Sequence, residues 1–135
     1  MNRRDARITA FCLLFESDFH PECSFDEIYQ RAEDVGELKV NGFAKTLFEN
    51  TVLNKETIDE QIEAVSNKWK ISRFSAVARA IIRMAVGEMM YSEVPAKIVI
   101  NEAVEISKLY DEKKATAFIN GILNTIARNL GKIED

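Results

Sequence analysis

Apolar residues recur at spacings of three and four along most of the chain, which is the period of one face of an α-helix. Residues 3–17 illustrate the pattern, with Ala6, Ala10, Phe11 and Leu14 on one side. We therefore predict a first amphipathic helix, which ends where His20 and a following proline interrupt the pattern.

Start signals predict the next three helices. Ser24 and Glu27 form a capping box, and a short helix should follow them and end near Gly36. A third helix is predicted over about 41–54. Thr57 opens a second capping box, and the sequence leaves open whether two helices or one bent helix results. The inner face after Thr57 should consist of Ile58, Ile62, Val65 and Trp69.

The most apolar segment, residues 77–90, should be the central buried helix, because its apolar side chains extend nearly all the way round. Pro95 suits the first turn of the next helix, and a last helix is predicted over about 116–129. No strand pair is predicted. The fold class is therefore all-α, a compact bundle of six or seven helices.

Charge is unevenly distributed along a chain of 135 residues that fits one domain, 1–135. The net charge of −4 alone argues against nucleic acid as a partner. However, Arg3, Arg4 and Arg7 are opposed only by Asp5, and residues 68–83 contain five basic residues and no acid. These segments could hold a polyanion locally, although a charge run is more often a solvated face.

The sequence does not favour catalysis. His20 is the only histidine and has no paired nucleophile, and there is no phosphate-binding or zinc-hydrolase motif. Cys12 and Cys23 are too few for a zinc site or a disulfide framework. We expect no enzyme activity, no cofactor and no metal. Without a signal peptide or an apolar run of about 20 residues, a cytoplasmic protein that does not enter membranes is expected.

Several polar residues and a glycine interrupt the apolar helices. Buried polar groups usually bond to a neighbouring helix, and a glycine inside a helix usually marks a close helix approach. We therefore predict structural roles for this set. Its members are Arg83, Glu88, Asn101, Glu102, Asn120 and Gly121.

Three segments, spread in order over nearly the whole chain, carry a family likeness. RRDARITAFCLLFE at 3–16 resembles the arginine-rich first helix of the NusB family. AIIRMAVGEMMYSEVPAKIVINEAVEISKLY at 80–110 resembles the family's stretch around VPxxVxINEAVELAK, and FINGIL at 118–123 resembles its FVNGVL signature. The chain is thus identified as a member of the NusB family.

The resemblance implies an all-helical domain of two packed subdomains, roughly 1–70 and 71–135. It also implies a function. Together with NusE, a small-subunit ribosomal protein, NusB proteins bind the boxA element of nascent ribosomal RNA. The complex joins RNA polymerase and suppresses premature termination. The implied partners are therefore boxA RNA, NusE and the polymerase complex.

By family position, Arg3, Arg4 and Arg7 would contact RNA, and Phe15 and Phe118 would flank or stack its bases. Core packing is the alternative role for both aromatic residues.

Two regions depart from the family pattern. Lys113 and Lys114 stand where some relatives are acidic or serine-rich, so they could strengthen RNA contact. The resemblance places the NusE contact around Arg73, Ala78 and Arg79, and Ala78 stands there in place of a common acid.

Other interpretations stay open at this point. NusB-like domains also precede the catalytic domain of some RNA cytosine methyltransferases, but 135 residues leave no room for a cofactor-binding domain, so none is expected. A homodimer with a masked RNA face, or a purely structural scaffold, is a further possibility. The sequence does not distinguish a monomer from a homodimer.

Overall fold

The computed structural model describes residues 2–35, 40–66, 70–111 and 113–133, and these residues form helices but no strand. The α-helices are α1 (Arg3–Phe19), α2 (Phe25–Asp34), α3 (Gly42–Leu53), α4 (Lys55–Ser66), α5 (Ala76–Tyr91), α6 (Ala96–Tyr110) and α7 (Lys113–Asn129). A short 3-10 helix, Ile71–Arg73, precedes α5. The predicted all-α fold is confirmed.

Side-chain caps fix where most of these helices begin. Ser24 accepts a hydrogen bond from the backbone N–H of Glu27, whose carboxylate accepts one from the N–H of Ser24. The predicted capping box is therefore present. Side chains of Asn2, Asn41 and Ser75 cap α1, α3 and α5 by accepting a hydrogen bond from a backbone N–H of the first turn.

The predicted helix start at Thr57 is wrong, because α4 begins at Lys55, directly after α3. Asn54 ends α3, and its carbonyl accepts the hydrogen bond from the N–H of Ile58, so a new helix starts at once. Residues 42–66 thus form two helices, which answers the open question. Similarly, α7 begins at Lys113 rather than near residue 116. Gly36 and Trp69 lie outside the described residues.

Helix α5 is central, as its apolar sequence predicts. It contacts α1, α3, α4, α6 and α7. The hydrophobic core joins residues from both halves of the chain, and the division into two subdomains stays a prediction. The buried apolar side chains of α5 include Ile81, Ile82, Met84, Val86 and Met89.

A close approach of α3 to α5 depends on Gly87, which the sequence analysis did not single out. A Cβ atom at this position would lie 2.6 Å from the Oγ1 of Thr51, a buried side chain that donates to the carbonyl of Leu47. Cβ atoms essentially never lie this close to another heavy atom, so the Thr51 side chain would have to shift. Gly87 is therefore the glycine that permits close helix packing.

Charged side chains also join the helices. Arg83 on α5 donates two hydrogen bonds, of 2.8 and 2.9 Å, to Asp59 on α4. Arg79, one turn earlier, donates to Asp18 at the end of α1 at 2.6 and 2.8 Å. These ion pairs hold α1, α4 and α5 together, which agrees with the structural role predicted for Arg83.

Candidate nucleic-acid interface

The arginines at the start of α1 are each held by a different helix. Arg3 lies over the ring of Phe43 at the start of α3, with its guanidinium carbon 4.1 Å from the ring centre. Arg4 donates through Nε to Glu102 of α6 at 2.7 Å. The guanidinium groups of Arg3 and Arg4 are therefore restrained by contacts with other helices.

Arg7 behaves differently from the other two arginines. It donates three hydrogen bonds to Glu88 of α5, of 2.6, 2.9 and 3.2 Å, and the two side chains are only 6% and 3% exposed. The hydrogen bonds to Glu88 raise the pKa of Arg7, so it stays charged. The structure therefore places Arg7, which the family resemblance assigns to RNA contact, in an ion pair that anchors α1 to the central helix.

Arg4 remains accessible although it has a partner. Its side chain is 46% exposed, whereas that of Glu102 is 18% exposed. The hydrogen bond to Glu102 is the main cause that raises the pKa of Arg4. Arg3 and Arg4 thus present two exposed guanidinium groups at the N-terminal end of α1.

Aromatic side chains continue along α1. Phe15 is half-buried between Phe11 and Phe19, with ring centres 6.2 and 5.0 Å away, and Tyr110 at the end of α6 lies 5.1 Å from Phe11. A groove of about 560 Å³ is lined by Phe11, Phe15 and Tyr110. The four-residue spacing of the phenylalanines could have revealed Phe19, but Tyr110 joins them only through the fold.

Two side-chain contacts join α1 to α6. Arg4 pairs with Glu102 and Phe11 contacts Tyr110, so the two helices run in the same direction. Helix α7 begins three residues after Tyr110. Its first residues, Lys113 and Lys114, are both exposed.

Phe118 occupies an intermediate position. It is exposed, yet its ring packs edge-on against that of Phe74, with the ring centres 5.3 Å apart. It can therefore both support the segment before α5 and offer part of its ring to a ligand.

The predicted partner-binding residues do not share one environment. Arg73 is exposed on the 3-10 helix, whereas Ala78 is buried and Arg79 is engaged by Asp18. Among these three residues, Arg73 alone offers an exposed side chain at the start of α5.

Part of the predicted structural set is wrong. Asn101 and Asn120 are exposed rather than buried, and a Cβ atom on Gly121 would meet nothing within 4 Å. The helices do not approach closely there, because these residues lie on the outer faces of α6 and α7. Glu88 and Glu102, in contrast, do bond to another helix.

Two negative findings concern the described part of the chain. None of its helices has the length and apolar character needed to cross a bilayer. It also contains no cluster of three or more histidine, cysteine or acidic residues arranged to hold a metal ion.

Comparison with known proteins decides the family. The sequence model of the NusB family matches residues 4–128. This chain belongs to the NusB family. It is 40% identical over 131 residues to the transcription antitermination protein NusB of Bacillus thuringiensis (strain Al Hakam), which covers 96% of this chain and 100% of that relative.

Solved NusB structures share the fold. T. maritima NusB superposes with a TM-score of 0.82 at 29% identity, over 95% of this chain and 92% of that one. A chain from the complex of antitermination factors NusB and NusE with dsRNA gives a TM-score of 0.80 at 30% identity, over 94% and 96% of the two chains. The helical arrangement is thus that of the family.

Proposed function

We propose that this chain is an RNA-binding transcription antitermination factor that acts without catalysis. Its NusB relatives bear the name of transcription antitermination proteins, and one similar structure contains NusB and NusE with dsRNA. The single observation on this chain that carries the proposal is the exposed, pre-positioned arginine pair, Arg3 and Arg4.

The types of side chain at the proposed site suit the binding of RNA. Guanidinium groups hold phosphates, and exposed aromatic rings stack on unpaired bases, so the two together suit single-stranded RNA. Phe15 and Phe118 are the proposed stacking residues, with Tyr110 beside Phe15. Arg7 supports the site indirectly, because its ion pair with Glu88 fixes the first turns of α1.

The finer assignment is also a proposal. We infer that the RNA is a boxA element of ribosomal RNA transcripts, that NusE binds beside it, and that the assembly joins RNA polymerase. A net charge of −4 explains why a partner is needed, since the basic surface is small and the rest of the molecule repels RNA.

Transcription in vitro tests this function. The chain and NusE are added to RNA polymerase on a template with boxA upstream of a terminator, and on a matched template with scrambled boxA. We expect more read-through only with intact boxA and both proteins. Equal read-through on the two templates would overturn the assignment.

Lys113 and Lys114 are proposed to add phosphate contacts at the start of α7. Replacing both with Glu should weaken boxA binding and flatten its salt dependence, because two cations are lost and two anions gained. Filter binding over a salt series measures both. Unchanged binding would exclude these lysines from the interface.

A further inference from the structure

We propose that Glu102 is a positioning residue for RNA recognition, which holds the Arg4 guanidinium in the orientation that a phosphate needs. The inference rests on the proposed RNA-binding function. Glu102 belongs to the INEAVE segment, and it lies on α6, far from Arg4 in sequence but 2.7 Å from it in the fold.

The geometry of this pair leaves most of Arg4 available. A guanidinium carries five N–H donors, and Glu102 accepts from the Nε side alone. The terminal nitrogens, which donate to phosphates in pairs, make no hydrogen bond to Glu102 in the described structure. A carboxylate at this place therefore orients the guanidinium without occupying the edge that would face RNA.

The neighbouring arginine is positioned by a different interaction. Arg3 lies over Phe43, so the two exposed arginines are restrained by separate helices before any RNA arrives. Restraint of this kind raises affinity, because a long side chain that is already ordered loses less conformational entropy on binding.

Charge repulsion acts in the opposite direction. A carboxylate beside the RNA repels its phosphates, so a purely electrostatic role for Glu102 predicts tighter binding once it is removed. The positioning role predicts weaker binding instead. The two effects therefore differ in sign, which makes the inference testable.

Glu105 provides the matched control. It lies one turn after Glu102 on α6 and adds to the negative field at Arg4, but its carboxylate bonds to Lys108 at 3.1 Å rather than to Arg4. Glu105→Ala and Glu102→Ala remove the same charge from the same helix. Only the second removes the hydrogen bond to Arg4.

The experiment measures the affinity of the full chain for boxA single-stranded RNA and for scrambled RNA. We expect Glu102→Ala to weaken boxA binding about two- to tenfold, the effect of releasing one ordered side chain. Glu105→Ala should bind as tightly as wild type or more tightly. Glu102→Gln, which keeps an acceptor oxygen, should recover most of the loss.

A double-mutant cycle with Arg4→Ala adds a readout that a merely structural role would not change. Arg4→Ala with Glu102→Ala should bind no more weakly than Arg4→Ala alone, and thermal unfolding should be the same in all variants. Glu102→Ala that binds like Glu105→Ala would overturn the inference. Wild type that binds both RNAs equally would overturn the proposed function itself.

Discussion

Arg7 and Glu88 are oppositely charged side chains in the interior, and each depends on the other. Removing one partner leaves an uncompensated buried charge, whereas an apolar pair of similar volume leaves none. The pair also connects α1 to α5, so its loss affects the orientation of the helix that carries Arg3 and Arg4.

We therefore expect Arg7→Ala to lower the free energy of unfolding by about 3–5 kcal/mol. The double variant Arg7→Met with Glu88→Leu should recover most of that loss, because neither charge remains. Urea unfolding followed by circular dichroism measures both. A single variant within about 1 kcal/mol of wild type would contradict a buried ion pair.

The burial of individual side chains decides which of their roles could be predicted from the sequence. The sequence does not distinguish Arg3, Arg4 and Arg7 from one another. Arg7 is buried and the other two are exposed because only Arg7 faces α5 when α1 packs against it. Tyr110 could not be predicted as part of the aromatic group, because its contact with Phe11 forms only when the chain folds and α6 meets α1.

At the scale of helices, two glycines test how closely the elements pack. Gly87→Ala should destabilise by about 1–3 kcal/mol, because the new Cβ meets Thr51, whose rotation would break its bond to Leu47. Gly121→Ala is the control. It has free space and should stabilise by up to about 1 kcal/mol through helix propensity.

Thermal and urea unfolding of the two glycine variants measure these changes in stability. Adding Thr51→Ala to Gly87→Ala should relieve part of the loss, since the clashing oxygen is gone. Equal effects of the two glycine substitutions would contradict the close approach of α3 to α5.

Helix existence could be predicted well from sequence because its signals are local. The apolar period and the Ser24 capping box act within a few residues, and α1, α2 and α5 appear where they predict. The start of α4 could not be predicted in this way. The N–H of Asn54 donates to the carbonyl of Asn50 at the end of α3, and its carbonyl accepts from the N–H of Ile58 in α4, so no residues separate the two helices beyond Asn54 itself. Gly87 also required knowledge of which helices face each other.

At the scale of the whole molecule, the proposed RNA-binding arginines belong to a protein whose net charge is −4. The acids of residues 16–37 disfavour a polyanion, and two of them, Glu16 and Asp34, line the groove beside Phe15. The proposed RNA contacts are therefore the cations at the starts of α1 and α7 and the aromatic rings that remain accessible beside them. The motifs predicted the family and this region of the chain. Which arginines face outward required the three-dimensional structure.

A salt titration of boxA RNA binding tests the central claim most directly. It compares wild type with Arg3→Ala/Arg4→Ala, and with Arg128→Ala, an exposed arginine at the far end of α7, as the control. We predict weaker binding and a salt slope reduced by about 1.4, the value for two lost phosphate contacts on single-stranded RNA, with Arg128→Ala unchanged. An unchanged affinity and slope in the double arginine variant would contradict RNA binding at the start of α1.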